Sequence, residues 1–292
     1  MPCAALLILA PASDESPAFS QPIAGVIGAV SVALLVIGGA SGGRLAAVTS
    51  AYIVLASAAF ISLVLLRPDT ILRQAVRSIV AAGFACALLI EITWGSAAWG
   101  GLAWEATRQA SVAMRAVVEV APDAFAIYEP MVRFISLTWP GMLALQTLAG
   151  IALAWQLHVR IATRTPGQTP TAAPLTRFKD FNLGDGWVWG IIAWLGVLVL
   201  PVSGALHIAG TNVGLVAGAL YVLRGAAIVA TFAEAFGISA LSLLLMAGAA
   251  AALAVPMLFV LPGLCTLGIT DTWYQYRRRL ADAKTRQRSN TP

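Results

Sequence analysis

Long apolar runs separated by short polar connections dominate this sequence. Each run is long enough to cross roughly 30 Å of hydrocarbon as a helix. The seven runs occupy residues 23–40, 45–66, 78–99, 137–159, 187–208, 213–235 and 238–269. The pattern therefore predicts an all-α fold, that of a polytopic helical membrane protein.

The last run is too long for a single straight crossing. A helix over 238–269 would be about 48 Å long, and Pro256 and Pro262 interrupt it. Proline removes a backbone donor and kinks or breaks a helix. The run is therefore two short crossings, a re-entrant pair or one long kinked helix. We favour two crossings, which gives about eight transmembrane helices, with seven as the alternative.

Composition and charge exclude a soluble domain and set the orientation. Hydrophobic residues make up 59% of the chain and charged residues 11%, too few to cover a water-soluble core of this size. The formal charge of +5 lies entirely in the C-terminal tail, and two other connections, 67–77 and 160–179, are also basic. Basic connections face the cytoplasm. Eight spans in the cytoplasmic (inner) membrane would put all three, and both termini, on that side.

The same features predict how the chain is organised. We expect one integral membrane domain over 1–292. Its first half, 23–159, would hold four spans and its second half, 187–272, three to four. The linker 160–186 is rich in proline, threonine and glycine, and 273–292 would form a basic cytoplasmic tail. The tail suits anionic lipid, and it lacks the basic folded face of a nucleic-acid-binding protein.

Residues 102–120 have the pattern of an amphipathic helix. Polar residues at steps of three and four form one stripe: Glu105, Arg108, Gln109, Arg115 and Glu119. The opposite side is apolar: Ala106, Ala110, Ala113 and Val117. Such a helix lies along a membrane interface. We expect it on the external surface, with a lid over a cavity as the alternative.

Residues with catalytic or metal-binding spacing are missing from the sequence. The cysteines and histidines form no disulfide or metal pattern, and no nucleotide-binding loop or nucleophile elbow occurs. We therefore expect no catalytic residue, no metal and no cofactor.

Arg224 is the most unusual polar residue, because it falls near the centre of the run 213–235. An arginine at mid-membrane costs roughly 2.5–3.5 kcal/mol on insertion scales and normally faces protein or water. Gly210, Gly214 and Gly218 form a small-residue ridge on the same helix, which favours close packing of another helix. Arg224 would flank that packed face and not point to lipid.

Three interpretations of Arg224 are open. Glu91 is the only acid well inside another run, so the first is a structural ion pair between these two residues. The second is a solvated cavity in which Arg224 meets an anionic ligand, with Glu91, Tyr221 and Asn212 as further candidate ligand-binding residues. The third is a shallower arginine that extends to the membrane surface.

The C-terminal end of the last run carries the most specific motif. Residues 267–278 read LGITDTWYQYRR, a pattern that resembles the YybS-like family of uncharacterised bacterial multi-pass membrane proteins. Further pieces agree in order: Phe181, Leu183, Trp187, Trp189, Asn212, Leu220, Tyr221, Leu223 and Gly225. The likeness covers about 176–279. Arg224 departs from it, since a glutamine is expected there.

At the level of fold, that family is similar to the substrate-binding membrane subunits of energy-coupling-factor transporters. The resemblance implies a protein that binds or helps to transport a small molecule without its own catalytic centre. It also implies a cytoplasmic or membrane coupling partner, docking at Asp271, Trp273, Arg277 and Arg278. Each of these two expectations has an alternative. Instead of docking a partner, Asp271 would cap a helix that starts near Tyr276. Instead of binding a substrate, the protein would be a structural or regulatory membrane scaffold.

Overall fold

Helices are the only regular elements in the part of the chain that the structure describes. This structure is a computed structural model, and it describes residues 2, 5–6, 25–26, 28–33, 37, 42–66, 69–163, 175, 177–184, 186–200, 204–252, 257–280 and 282. The long helices are α1 (Gly43–Leu66), α2 (Ile71–Trp94), α3 (Ala98–Val120), α4 (Tyr128–Ala162), α5 (Trp187–Val199), α6 (Ala205–Ala235), α7 (Ala240–Ala252) and α8 (Met257–Tyr274). Short 3-10 turns occupy Pro122–Ile127 and Phe178–Asp180.

Four of the described helices are long and apolar enough to cross a membrane. They are α1, α2, α6 and the stretch Phe125–Ile161 that contains α4. The helical class of the protein is therefore confirmed, and its apolar helices fit a membrane-embedded chain. Most of the predicted first span, 23–40, lies outside the described residues.

Helix boundaries differ from the apolar runs where glycine turns the backbone. α2 ends at Trp94, five residues before the predicted limit, because Gly95 adopts a φ of 70°. The run 187–208 is likewise divided: α5 ends at Val199, and Gly204 with a φ of 68° precedes α6. A positive φ suits glycine, which has no Cβ. α5 is consequently only 13 residues long, about 20 Å.

Within the run 238–269 the structure describes two helices, α7 (Ala240–Ala252) and α8 (Met257–Tyr274). Residues 253–256 lie outside the described residues, so the choice between two crossings and one kinked helix stays a prediction. Pro256 lies outside the described residues, and Pro262 lies inside α8.

The chain divides into two compact units, Met1–Leu175 and Thr176–Pro292. The boundary falls within the predicted linker 160–186. In the first unit, Phe60 of α1 and Trp155 of α4 meet edge to face with ring centroids 6.1 Å apart. Leu6, from the N-terminal region, is buried in the same cluster.

α3 confirms the predicted amphipathic helix but corrects its polar stripe. Ala106 and Ala110 are buried as expected, whereas Ala113 and Val117 are exposed. Glu105, predicted on the polar stripe, is only 9% exposed. Its carboxylate accepts a hydrogen bond from Leu45 N at 2.9 Å, in the first turn of α1. An anion at a helix N-terminus satisfies free N–H groups and interacts favourably with the helix dipole.

In the second unit, α6 packs against both α5 and α8 through glycines. A Cβ at Gly210 or Gly214 would overlap Val197 or Trp194 of α5, whereas Gly218 has no such neighbour within 4 Å. The predicted glycine ridge is therefore confirmed at two of its three positions.

The α6–α8 contact is closer still, because backbone meets backbone. A Cβ at Gly225 would overlap the carbonyl of Leu264, and one at Gly268 would overlap the carbonyl of Tyr221. Glycine at both positions therefore allows the two helices to approach.

Candidate functional site

Arg224 is buried in the second unit and bound to a carboxylate at the end of α8. Its residue exposure is 3%, which confirms that it does not face lipid. Nε and Nη2 donate to Asp271 Oδ2 at 3.2 and 3.1 Å. Nη1 donates to Thr272 Oγ1 at 3.1 Å and to the Leu183 carbonyl at 3.3 Å. Of the five N–H groups of a guanidinium, these bonds engage four.

The carboxylate that pairs with Arg224 is Asp271 and not Glu91. A structural pair with Glu91 was one of the three interpretations of Arg224 that the sequence left open. Glu91 is exposed near the end of α2 and accepts a hydrogen bond from Trp99 Nε1 at 2.9 Å. The prediction failed because Arg224 has a long side chain, and helical side chains lean toward the helix N-terminus. An acid at the end of another helix is therefore within its reach.

Asp271 joins two arginines and also caps the turn that follows. Its Oδ2 atom lies 3.4 Å from Arg277 Nη2 as well as near Arg224. Its Oδ1 atom accepts the backbone N–H of Tyr276 at 2.9 Å. The expected capping role toward Tyr276 is thus present, although Asp271 itself lies inside α8. We call Arg224, Asp271 and Arg277 the arginine–aspartate cluster.

The cluster also holds the segment 177–184 that leads into α5. Arg277 Nη1 donates to the carbonyls of Lys179 and Phe181 at 3.0 and 2.9 Å, and Arg224 binds the carbonyl of Leu183. Lys179 Nζ in turn lies 2.7 Å from Glu234 Oε2 on α6. These contacts join the start of the second unit to its C-terminal turn.

The remaining predicted site residues occupy different environments. Tyr221 is fully buried beside Gly268. Asn212 donates from Nδ2 to the Ile208 carbonyl at 2.8 Å, one turn back on the same helix. Among the candidate docking residues, Asp271 and Arg277 belong to the cluster, whereas Trp273 and Arg278 are exposed. The structure therefore brings Tyr221, Arg224 and Asp271 to one helix contact.

A second buried polar group lies in the first unit and was not singled out from the sequence. His158 on α4 is fully buried against Trp155, with ring centroids 5.6 Å apart. Neither ring nitrogen has a hydrogen-bond partner among the described residues. No group of three or more histidine, cysteine or acidic residues that could hold a metal occurs among the described residues.

The contacts missed from the sequence are mostly contacts to backbone carbonyls. Lys179, Phe181 and Leu183 act through main-chain oxygens, which every residue carries. The LGITDTWYQYRR motif was the available signal, because it contains both Asp271 and Arg277. No family model, no curated protein and no solved structure matches the chain. The YybS-like resemblance thus stays a prediction.

Proposed function

We propose that this chain is a non-catalytic, multi-pass membrane protein with a structural or regulatory role, and not a substrate-binding subunit. In this proposal the arginine–aspartate cluster fixes the fold of the second unit, and function resides in surfaces that the unit presents. Of the two hypotheses raised by the sequence, this is the one in which Arg224 needs no ligand.

One observation carries the proposal: the N–H groups of the Arg224 guanidinium already donate hydrogen bonds within the protein. Four hydrogen bonds to Asp271, Thr272 and Leu183 leave at most one N–H group for an anionic ligand. A site that recognises a carboxylate or phosphate ordinarily presents two parallel N–H groups of an arginine. Asp271 takes that position here.

The test compares Arg224→Gln with the unchanged chain, both purified in mild detergent. The scaffold proposal expects a lower melting temperature and the same small-molecule content by mass spectrometry. A substrate-binding subunit would give the reverse, with an unchanged melting temperature and the loss of one bound compound. That second result would overturn the proposal.

We further propose eight crossings of the cytoplasmic membrane, with the N-terminus, the linker 160–186 and the tail in the cytoplasm. The basic connections support it. Cysteine labelling in intact cells, on a chain without native thiols, tests the orientation. A cysteine placed at Ser289 should not react with a reagent added outside the cell. Labelling at this position would mean that the tail faces the outside, which contradicts the proposal.

Membership of the YybS-like family is likewise a proposal. What supports it is that residues of the motif from three separate stretches take part in one packing contact. The first stretch contributes Leu183, the second Tyr221 and Gly225, and the third Gly268 and Asp271.

A further inference from the structure

After the turn that follows α8, three consecutive arginines point in two different directions. Gln275 has a φ of 48°, and the next helical turn begins at Tyr276, whose N–H is held by Asp271. Arg277 then points inward to the cluster, with a side-chain exposure of 19%. Arg278 and Arg279 are both exposed. The cluster thus orients the two following arginines outward.

Exposed aromatic rings accompany these two arginines. Trp273 is 63% exposed and Tyr274 51% exposed, at the end of an apolar helix. The Arg279 guanidinium lies 5.9 Å from the centroid of the Tyr274 ring. We call Trp273, Tyr274, Arg278 and Arg279 the aromatic–arginine surface.

Neither arginine of this surface forms an ion pair within the described residues. Asp282 is the nearest acid in sequence, three residues after Arg279 and four after Arg278, and no salt bridge among the described residues joins it to either. The oxygens of Asp271 are taken by Arg224, Arg277 and the Tyr276 N–H. Among the described residues, Arg278 lies close to the neutral Gln275 side chain, at 3.5 Å. Two cations without an ion pair therefore lie in the same stretch as two exposed rings, where α8 ends.

From this arrangement we infer that the aromatic–arginine surface binds the headgroup of an anionic phospholipid. Arginine matches the geometry of phosphate oxygens, and exposed tryptophan and tyrosine reside at headgroup depth. Basic residues beside a membrane attract anionic lipid. A free phosphate would use the arginines alone, whereas a lipid also covers the rings. The inference rests on the proposed membrane-embedded function and names its lipid partner.

The experiment uses native mass spectrometry of the full chain in mild detergent, after exposure to equal amounts of phosphatidylglycerol and phosphatidylcholine. The readout is the ratio of the two lipids retained. We expect the unchanged chain to prefer phosphatidylglycerol and Arg278→Gln with Arg279→Gln to lose about tenfold or more of that preference.

A matched control removes the same charge further along the tail. Lys284→Gln with Arg286→Gln should keep the preference within about twofold, because these residues lie outside the surface. Tyr274→Leu keeps every charge and should still lower the preference, since it removes the ring beneath Arg279. Melting temperature verifies that each variant is folded.

Either of two results would overturn the inference. Equal losses in the two double variants would mean diffuse attraction to the tail, and no loss in Arg278→Gln with Arg279→Gln would mean that the lipid binds elsewhere. Both leave the scaffold proposal standing, because that proposal is tested by the melting temperature and small-molecule content of the Arg224 variant.

Discussion

Arg224 and Asp271 are 47 residues apart in the sequence and meet through a single carboxylate oxygen. Arg224 Nε and Nη2 both donate to Asp271 Oδ2. The same oxygen also faces Arg277, at 3.4 Å. One buried acid therefore serves two cations, so its loss and the loss of Arg224 have unequal consequences.

The first prediction follows from that inequality. Asp271→Asn leaves two arginines without their acid, whereas Arg224→Gln leaves Asp271 paired with Arg277. Removing one partner of a buried pair costs about 3–5 kcal/mol. We expect Asp271→Asn to lower the free energy of unfolding by that amount and Arg224→Gln to cost less, as measured by thermal melting in detergent.

Glu91 supplies the control for this prediction. Glu91→Gln affects the hydrogen bond from Trp99, so its effect on melting temperature should add to that of Arg224→Gln. The double variant of Arg224 and Asp271 should instead lose less than the sum of the two single variants. Additive losses for Arg224 and Asp271 would contradict the pairing.

The second prediction compares two glycines of α6. Gly225→Ala places a Cβ against the Leu264 backbone, which cannot move aside as a side chain can. Gly218→Ala meets nothing within 4 Å. We expect the first to lower the melting temperature, with overpacking costing about 1–3 kcal/mol. The second should leave it unchanged or raise it, because alanine favours helix by about 1 kcal/mol over glycine.

The third prediction concerns the carboxylate at the start of α1. Glu105→Ala removes the carboxylate that accepts the Leu45 N–H, and we expect a loss of about 0.5–2 kcal/mol, the usual range for a helix cap. Glu119→Ala on the exposed face of the same helix should change the stability by less than about 0.5 kcal/mol. Equal melting temperatures for the two variants would refute the capping role of Glu105.

The fourth prediction uses His158, whose ring nitrogens have no hydrogen-bond partner in the part of the chain that the structure describes. A buried polar group without a hydrogen bond costs about 1–3 kcal/mol. His158→Leu should therefore keep or raise the melting temperature. A clear decrease would mean that the imidazole makes a favourable contact in the folded protein. His207→Leu, on a half-buried residue of α6, is the comparison.

The fifth prediction is a pH dependence at the α1–α2 connection. A hydrogen bond from the Thr70 backbone, with Arg73 and Arg77 nearby, lowers the pKa of Asp69. A lowered folded-state pKa stabilises the fold above the ordinary carboxylate pKa of about 3.9, and the contribution is lost as the pH falls through the lowered value. The melting temperatures of the unchanged chain and Asp69→Asn should differ at neutral pH and converge in acid.

The sequence predicted the helical class well because the apolar runs are long. α1, α4 and α6 contain the runs 45–66, 137–159 and 213–235, although α4 begins nine residues before its run and α6 eight residues before its run. The length of α5 was not predictable in the same way. α5 ends at Val199 and α6 begins after Gly204, whereas the sequence is apolar on both sides of this boundary.

The site was predictable only in its residues, not in their pairing. Arg224 and Asp271 were both singled out, one as an intramembrane cation and the other as part of a motif. Their contact depends on the close approach of α6 and α8 at Gly225 and Gly268. Composition and periodicity give no distance between two helices, so the choice between Glu91 and Asp271 lay beyond them.

The placement of Asp271 after Arg224 in the chain sets an order of events during synthesis. Arg224 leaves the ribosome 47 residues before its acid, roughly 2–10 s earlier at ordinary elongation rates. During that interval the arginine must be solvated by water, lipid headgroups or an insertion factor. The second unit can therefore close only after α8 has been synthesised, and a nascent chain that stops before α8 keeps an uncompensated cation within an apolar helix.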